Sequence, residues 1–214
     1  MANRKQHKGP CYLCGKETTR GYMGRHLLAD HLGPDGDQAC YLLKIEDEYR
    51  NYWLFIDLPV SSTLLTLDTF LRAVWLECCG HMSAFMPLRS YDNDYGMNKK
   101  IGSFLPGTVI QYEYDFGSTT TLYITFVQET TRKKQKNAVR VLARNDPYTF
   151  TCERCGKPAT QVDAAEWPAV MLCEECAEEA EEEGYILPIV NSPRMGVCGY
   201  CGEFDVYKYK PKAR

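Results

Sequence analysis

Four Cys-x-x-Cys pairs punctuate this 214-residue chain, at Cys11/Cys14, Cys152/Cys155, Cys173/Cys176 and Cys198/Cys201. Two residues between cysteines let both sulfurs reach one ion on a short stretch of backbone, so the spacing points to tetrahedral metal binding, zinc first. Segments this small need such a staple, because they cannot bury a sufficient core. Eleven cysteines would also suit a secreted disulfide framework. The start, Met1-Ala2-Asn3-Arg4-Lys5-Gln6-His7-Lys8, lacks the apolar core of a secretory signal, and no later apolar run is long enough to span a bilayer. The expectation is a cytoplasmic zinc protein with no membrane partner.

After Cys14 come eleven residues, then His26 and, five positions on, His31. Gly15 lets a knuckle turn close while backbone amides point at sulfur. The segment from Gly21 to His31 suits a short helix with Met23, Leu27 and Leu28 as its apolar face, so both imidazoles reach one metal. Cys11, Cys14, His26 and His31 are the expected ligands. The pattern resembles the zinc-finger family that uses two cysteines and two histidines, with a linker one residue shorter than usual and Thr18 where the core aromatic usually stands. A DNA-reading finger exposes base-contacting residues near the start of its helix, where Arg20, Tyr22 and Arg25 sit, with Lys5, Lys8 and Lys16 available for phosphates. One finger buries too little surface to bind a sequence tightly alone. A structural or protein-binding finger is the alternative.

Net charge is −3, unevenly spread: residues 1–37 come to +2, residues 38–147 to zero and residues 148–214 to −5. Nucleic-acid contact therefore belongs at the amino-terminal end or on a local basic patch. In the middle segment, Tyr41–Ile45 and Tyr52–Ile56 read as a hairpin. Leu67, Phe70, Leu71, Val74 and Trp75 follow at helical spacing, with Thr66 as the expected cap. Arg89 to Lys100 reads as a surface loop. Val109–Asp115 and Thr121–Val127 form a second hairpin with Gly117 permitting its turn, and Ala138–Leu142 is a further strand. The basic run from Arg132 to Lys136 reads as a solvated hairpin tip.

The order of a hairpin with Trp53, a helix, His81-Met82-Ser83-Ala84-Phe85, and Pro106-Gly107 leading into Tyr112-Glu113-Tyr114-Asp115-Phe116-Gly117 resembles the plasmid pRiA4b ORF-3-like family, also met as insertion-element passenger proteins. The resemblance covers residues 39–145 and implies an α+β domain associated with mobile elements. Ser118 stands where the family has an acidic residue, and a Thr/Leu/Tyr run replaces its tryptophan and histidine. His81 and Asp115 would be the residues of an enzymatic reading, but no nucleophile with a base and orienting partner accompanies them, so no catalytic residue is assigned.

Towards the carboxy terminus, Cys152 and Cys155 form another knuckle, and seventeen residues separate Cys155 from Cys173, a four-cysteine zinc spacing. Cys173 and Cys176 run into a Glu/Ala-rich helix expected to stop at Gly184, an arrangement that resembles a treble-clef finger. Cys152, Cys155, Cys173 and Cys176 are the expected second ligand set. Cys198 and Cys201 are left as a metal or redox pair without assigned partners. Tyr207 to Arg214 is a basic, aromatic-interleaved tail.

The expected architecture is α+β: a central mixed or antiparallel sheet with a packed amphipathic helix (38–147), flanked by zinc modules at 1–37 and 148–214. Two zinc ions are expected, or three if Cys198/Cys201 find further ligands. The leading functional expectation is a non-enzymatic recognition module for nucleic acid. The alternative is a protein-protein adaptor with purely structural zinc sites.

Overall fold

The computed structural model describes residues 7–34, 36–90, 93–165, 168–180, 184–202 and 209. The amino-terminal segment contributes strands β1 (Lys8–Pro10) and β2 (Glu17–Thr19) and helix α1 (Arg20–Asp30). The centre contributes β3 (Gln38–Asp47), β4 (Trp53–Pro59), α2 (Leu64–Leu71) continued by a π-helical turn over Arg72–Leu76, β5 (Ser83–Pro87), β6 (Val109–Tyr114), β7 (Thr120–Arg132) and β8 (Arg140–Arg144). Beyond it lie β9 (Phe150–Thr151), β10 (Pro158–Ala159), β11 (Gln161–Asp163), β12 (Val170–Leu172), α3 (Glu174–Glu178) and β13 (Ile186–Pro188). The protein is α+β, and its main sheet is six-stranded with order β5-β6-β7-β3-β4-β8, antiparallel at every pairing.

β4 explains how the layers assemble. Its sequence Trp-Leu-Phe-Ile-Asp-Leu-Pro is buried at every position, as a strand covered on both faces requires. Leu54, Ile56 and Leu58 join the cluster under α2, with Leu67, Phe70, Leu71, Val74 and Trp75. Trp53 and Phe55 point the other way and pack with Met23 and Leu27 of α1. Helix α1 is thus a third layer on the sheet. Burying Met23 and Leu27 contributes about 1.5–3 kcal/mol each before ordering costs. Gly24 is what lets α1 approach: a Cβ there would stand 3.1 Å from the Phe55 ring.

The sheet edge at β8 is closed by the same amino-terminal segment. A bulge sets Phe55 opposite Ala143 and Ile56 opposite Val141, so Leu142 is the extra residue. Its carbonyl accepts the Tyr12 amide at 2.7 Å, and Cys11 forms a bridge with Ala143. An otherwise open edge strand is therefore covered by the turn that carries Cys11 and Cys14.

Four local expectations need correction. The helix begins one turn early, with Thr63 rather than Thr66 in the capping position, and the π-turn absorbs the rest of the apolar run. At the β6–β7 turn it is Asp115, at φ 64°, that takes the left-handed conformation, because its own carboxylate accepts the amides of Gly117 (3.0 Å) and Ser118 (3.2 Å). Arg132 is no solvated tip residue: it ends β7 and is buried against Asp57. Finally, α3 stops at Glu178; residues 181–183 of the expected helix lie outside the described residues, as does the tail except Tyr209, whose ring meets Phe70 edge-on at 5.0 Å.

Candidate metal centres

Cys11, Cys14, His26 and His31 converge, with one ligand atom from each lying within 4.8 Å of the others. The knuckle is built by two backbone bonds: the Cys11 amide donates to the Lys16 carbonyl (2.9 Å) and the Gly15 amide to the Cys11 carbonyl (2.7 Å). Gly15 sits at φ 78°, a conformation that only glycine adopts without strain. The Nε2 of His26 lies 3.3 Å from the Cys14 sulfur, while its Nδ1 is held by the Asp30 carboxylate at 2.6 Å. A carboxylate behind a histidine fixes ring orientation and tautomer for metal binding through the other nitrogen. The two imidazoles meet edge-on, with centroids 4.9 Å apart.

The second set, Cys152, Cys155, Cys173 and Cys176, also converges within 4.8 Å. Its knuckle repeats the first bond for bond: Cys152 amide to Lys157 carbonyl (2.7 Å), Gly156 amide to Cys152 carbonyl (2.9 Å), and Gly156 at φ 77°. Cys173 occupies the position before α3, and its carbonyl accepts the Ala177 amide at 2.9 Å. Among the described residues the apolar cluster here has five buried members, Cys152, Leu172, Cys173, Ala177 and Ala180, with Val170, Cys176 and Ile186 packed against them. Two of the five buried members are candidate ligands, so little apolar core remains without them.

A third group takes up one cysteine of the unassigned pair. Cys78, Cys79 and His81, on the turn after the π-helix, lie with Cys198 within 4.8 Å. Sequence reading left Cys198 unpartnered, although an adjacent Cys-Cys two residues before a histidine was the available signal. Cys201 stays out of this group, its thiol facing the Gly199 carbonyl at 3.2 Å. His81 and Asp115 do approach each other, at 3.4 Å, but Asp115 Oδ2 takes the buried Arg194 guanidinium at 2.5 Å. Burial opposes ionisation of Asp115, yet Arg194 and the Ser118 and Gly117 amides bring its carboxyl down to about 2.

The thiols behave as crowded donors. Burial works against the Cys152 thiolate, but the amides of Cys173, Cys155 and Arg154 aimed at it bring the thiol down to about 6. Burial pushes the Cys11 thiol up. Cys176 is pushed up to about 12, chiefly by its bond with Cys173, and Cys79 to about 11, chiefly by Cys198. Thiols this close resist ionising together, a repulsion that a divalent cation cancels. Donor chemistry and spacing therefore fit metal in all three groups.

The residues expected to face nucleic acid divide. Lys5 lies outside the described residues. Lys8 and Lys16 are exposed. Arg20 is drawn inward, paired with Glu46 at 2.7 Å, and Lys44 shares that carboxylate. Tyr22 is exposed, and the exposed Arg25 stacks on its ring at 4.5 Å. No helix among the described residues is long and apolar enough to cross a membrane.

No protein-family model matches the chain, and no curated protein matches it. Among solved structures the chain is similar to a protein of unknown function from Methanosarcina mazei Go1, with 19% sequence identity and a TM-score of 0.42 over 56% of this chain and 75% of that one.

Proposed function

We propose that this chain is a non-enzymatic zinc-binding module in which two closed, four-ligand zinc sites hold the amino-terminal finger and the four-cysteine finger in shape around a binding sheet. The observation that carries this reading is the repeated knuckle: Cys11–Gly15 and Cys152–Gly156 share both backbone bonds and the left-handed glycine. Two cysteines with two histidines, and four cysteines, are donor sets suited to zinc, and four protein ligands leave no open position for a reacting water. Elemental analysis of the reduced, full-length protein tests it: zinc should dominate, Cys14→Ser and Cys176→Ser should each remove one ion, and an iron-containing or metal-free folded protein would refute it.

Nucleic-acid contact is a second reading, favoured by one observation. Counting from Arg20 as the first residue of α1, the third and sixth positions are Tyr22 and Arg25, which face solvent while Met23 and Leu27 face the sheet. Those are positions from which a finger helix reaches base edges. Against it, Arg20 is engaged with Glu46. Titration of labelled DNA and RNA at several salt concentrations decides: affinity that falls steeply with salt and drops in Arg25→Ala supports contact, and no binding at low salt leaves the protein-adaptor role. Membership of the ORF-3-like family, with its association with mobile elements, belongs to the same proposal and rests on the Tyr114-Asp115-Phe116-Gly117 motif.

A further inference from the structure

We propose that Cys78, Cys79, His81 and Cys198 form a third zinc site, which fastens the segment around residues 191–201 to the central domain. Zinc–sulfur bonds of about 2.3 Å and zinc–nitrogen bonds of about 2.0–2.1 Å in a tetrahedron place sulfurs about 3.8 Å apart and sulfur about 3.5 Å from nitrogen. The sulfur spacings match, with Cys79 3.9 Å from Cys78 and 3.7 Å from Cys198, and His81 Nε2 lies closer than the tetrahedral spacing, 3.0 and 3.2 Å from the sulfurs of Cys79 and Cys198. A disulfide would bring two sulfurs to about 2.05 Å. Three thiolates and an imidazole are a donor set that selects zinc over hard cations.

Both halves of the site are fixed by groups that are not ligands. Glu77 accepts the Gly80 amide (2.5 Å) and the Tyr114 hydroxyl (3.0 Å), and Arg72 reaches Glu77 (2.7 Å) and the His81 carbonyl (2.6 Å), so the turn bearing three of the donors is held from beneath. On the other side, Ser192 donates to the Trp75 carbonyl (2.6 Å), Tyr200 to the Val74 carbonyl (3.4 Å), and the fully buried Arg194 to Asp115 (2.5 Å). Arg194 also reaches the Cys78 sulfur at 3.6 Å, placing positive charge beside a site whose three thiolates and one zinc ion leave it formally at −1. Cys198 is held at φ 48°, a left-handed conformation that is strained for a residue with a Cβ. Such strain persists where surrounding structure over-determines it; here it turns the thiol towards its three partners.

This ligand set is independent of the two knuckle sites, so its test separates from theirs. Elemental analysis of reduced, full-length wild type should give three zinc ions per chain. Cys198→Ser and Cys79→Ser should each give two, while Cys201→Ser keeps three. In the cobalt-loaded protein, Cys198→Ser should cut the thiolate-to-metal charge-transfer band by about a third and leave the remainder unaltered, which shows the other sites still folded. Two ions in wild type, both removed only by Cys14→Ser and Cys176→Ser, would overturn the third site. Loss of an ion in Cys201→Ser would overturn the ligand set. Absence of the knuckle ions with the Cys198-dependent ion retained would instead refute the reading of the two fingers.

Discussion

Replacing Asp30 with alanine sets two effects of opposite sign against each other at the first candidate metal centre. The carboxylate holds His26 Nδ1 at 2.6 Å, and the imidazole is only 6% exposed, so water does not readily take the carboxylate's place. Loss of such a partner costs about 10–100-fold in metal affinity, or about 1.4–2.8 kcal/mol. Asp30 is also the last residue of α1, where its negative charge meets the negative end of the helix. Removing it relieves about 0.3–1 kcal/mol. The orientation effect wins, and because the Asp30 side chain is 52% exposed its contribution sits in the lower half of that range. The net expectation is about tenfold weaker zinc binding at this centre. Asp30→Asn, which retains an acceptor for the imidazole N–H without the charge, should recover most of it. Competition against a chromophoric chelator measures this, with the Cys176-dependent ion as internal reference. Unchanged affinity in Asp30→Ala, or equal weakening at both centres, would refute the reasoning.

Two further perturbations test the sheet. Asp57 is fully buried and bonded by both Arg132 and Arg140, so Asp57→Asn leaves two guanidinium groups without their counter-charge. Stability should fall by about 3–5 kcal/mol, about 6–20 °C in Tm for a chain of this size, by thermal and urea unfolding at fixed metal content; a loss below about 1 kcal/mol would contradict the placement of Arg132. Replacing Asp57, Arg132 and Arg140 together with apolar residues should recover much of the loss. Cys40 is wholly buried and its thiol is pushed up to about 11 by that burial, so it should resist alkylation at pH 8 in the native, metal-loaded protein and react only on unfolding. Peptide mass mapping after timed labelling checks this, and rapid native labelling would place Cys40 elsewhere.

What the sequence disclosed was local. The spacing of Cys11 to His31 and of Cys152 to Cys176 marked the two candidate ligand sets, because a knuckle and a following helix or hairpin are set by nearby residues. The apolar run from Tyr52 to Ile56 marked a strand, yet which layer covers the second face of β4 depends on α1, some thirty residues earlier. Arg132 looked like part of a basic run because its partner, Asp57, is 75 residues away. Cys198 looked unpartnered because His81 is 117 residues away. Asp115 in the left-handed turn was hidden for a different reason: with a glycine two residues on, an aspartate bonded to the following amides is the less expected occupant of that conformation.

The central claim is that metal holds both ends of the chain in shape while the six-stranded sheet stands on its own core. Hydrogen exchange of the full-length protein with and without a zinc chelator tests this most directly. Chelation should release protection in α1, in the Cys11 and Cys152 knuckles and in β9 to α3, while β3, β4, β6 and β7 stay protected. Protection unchanged throughout, with the zinc removed, would contradict it.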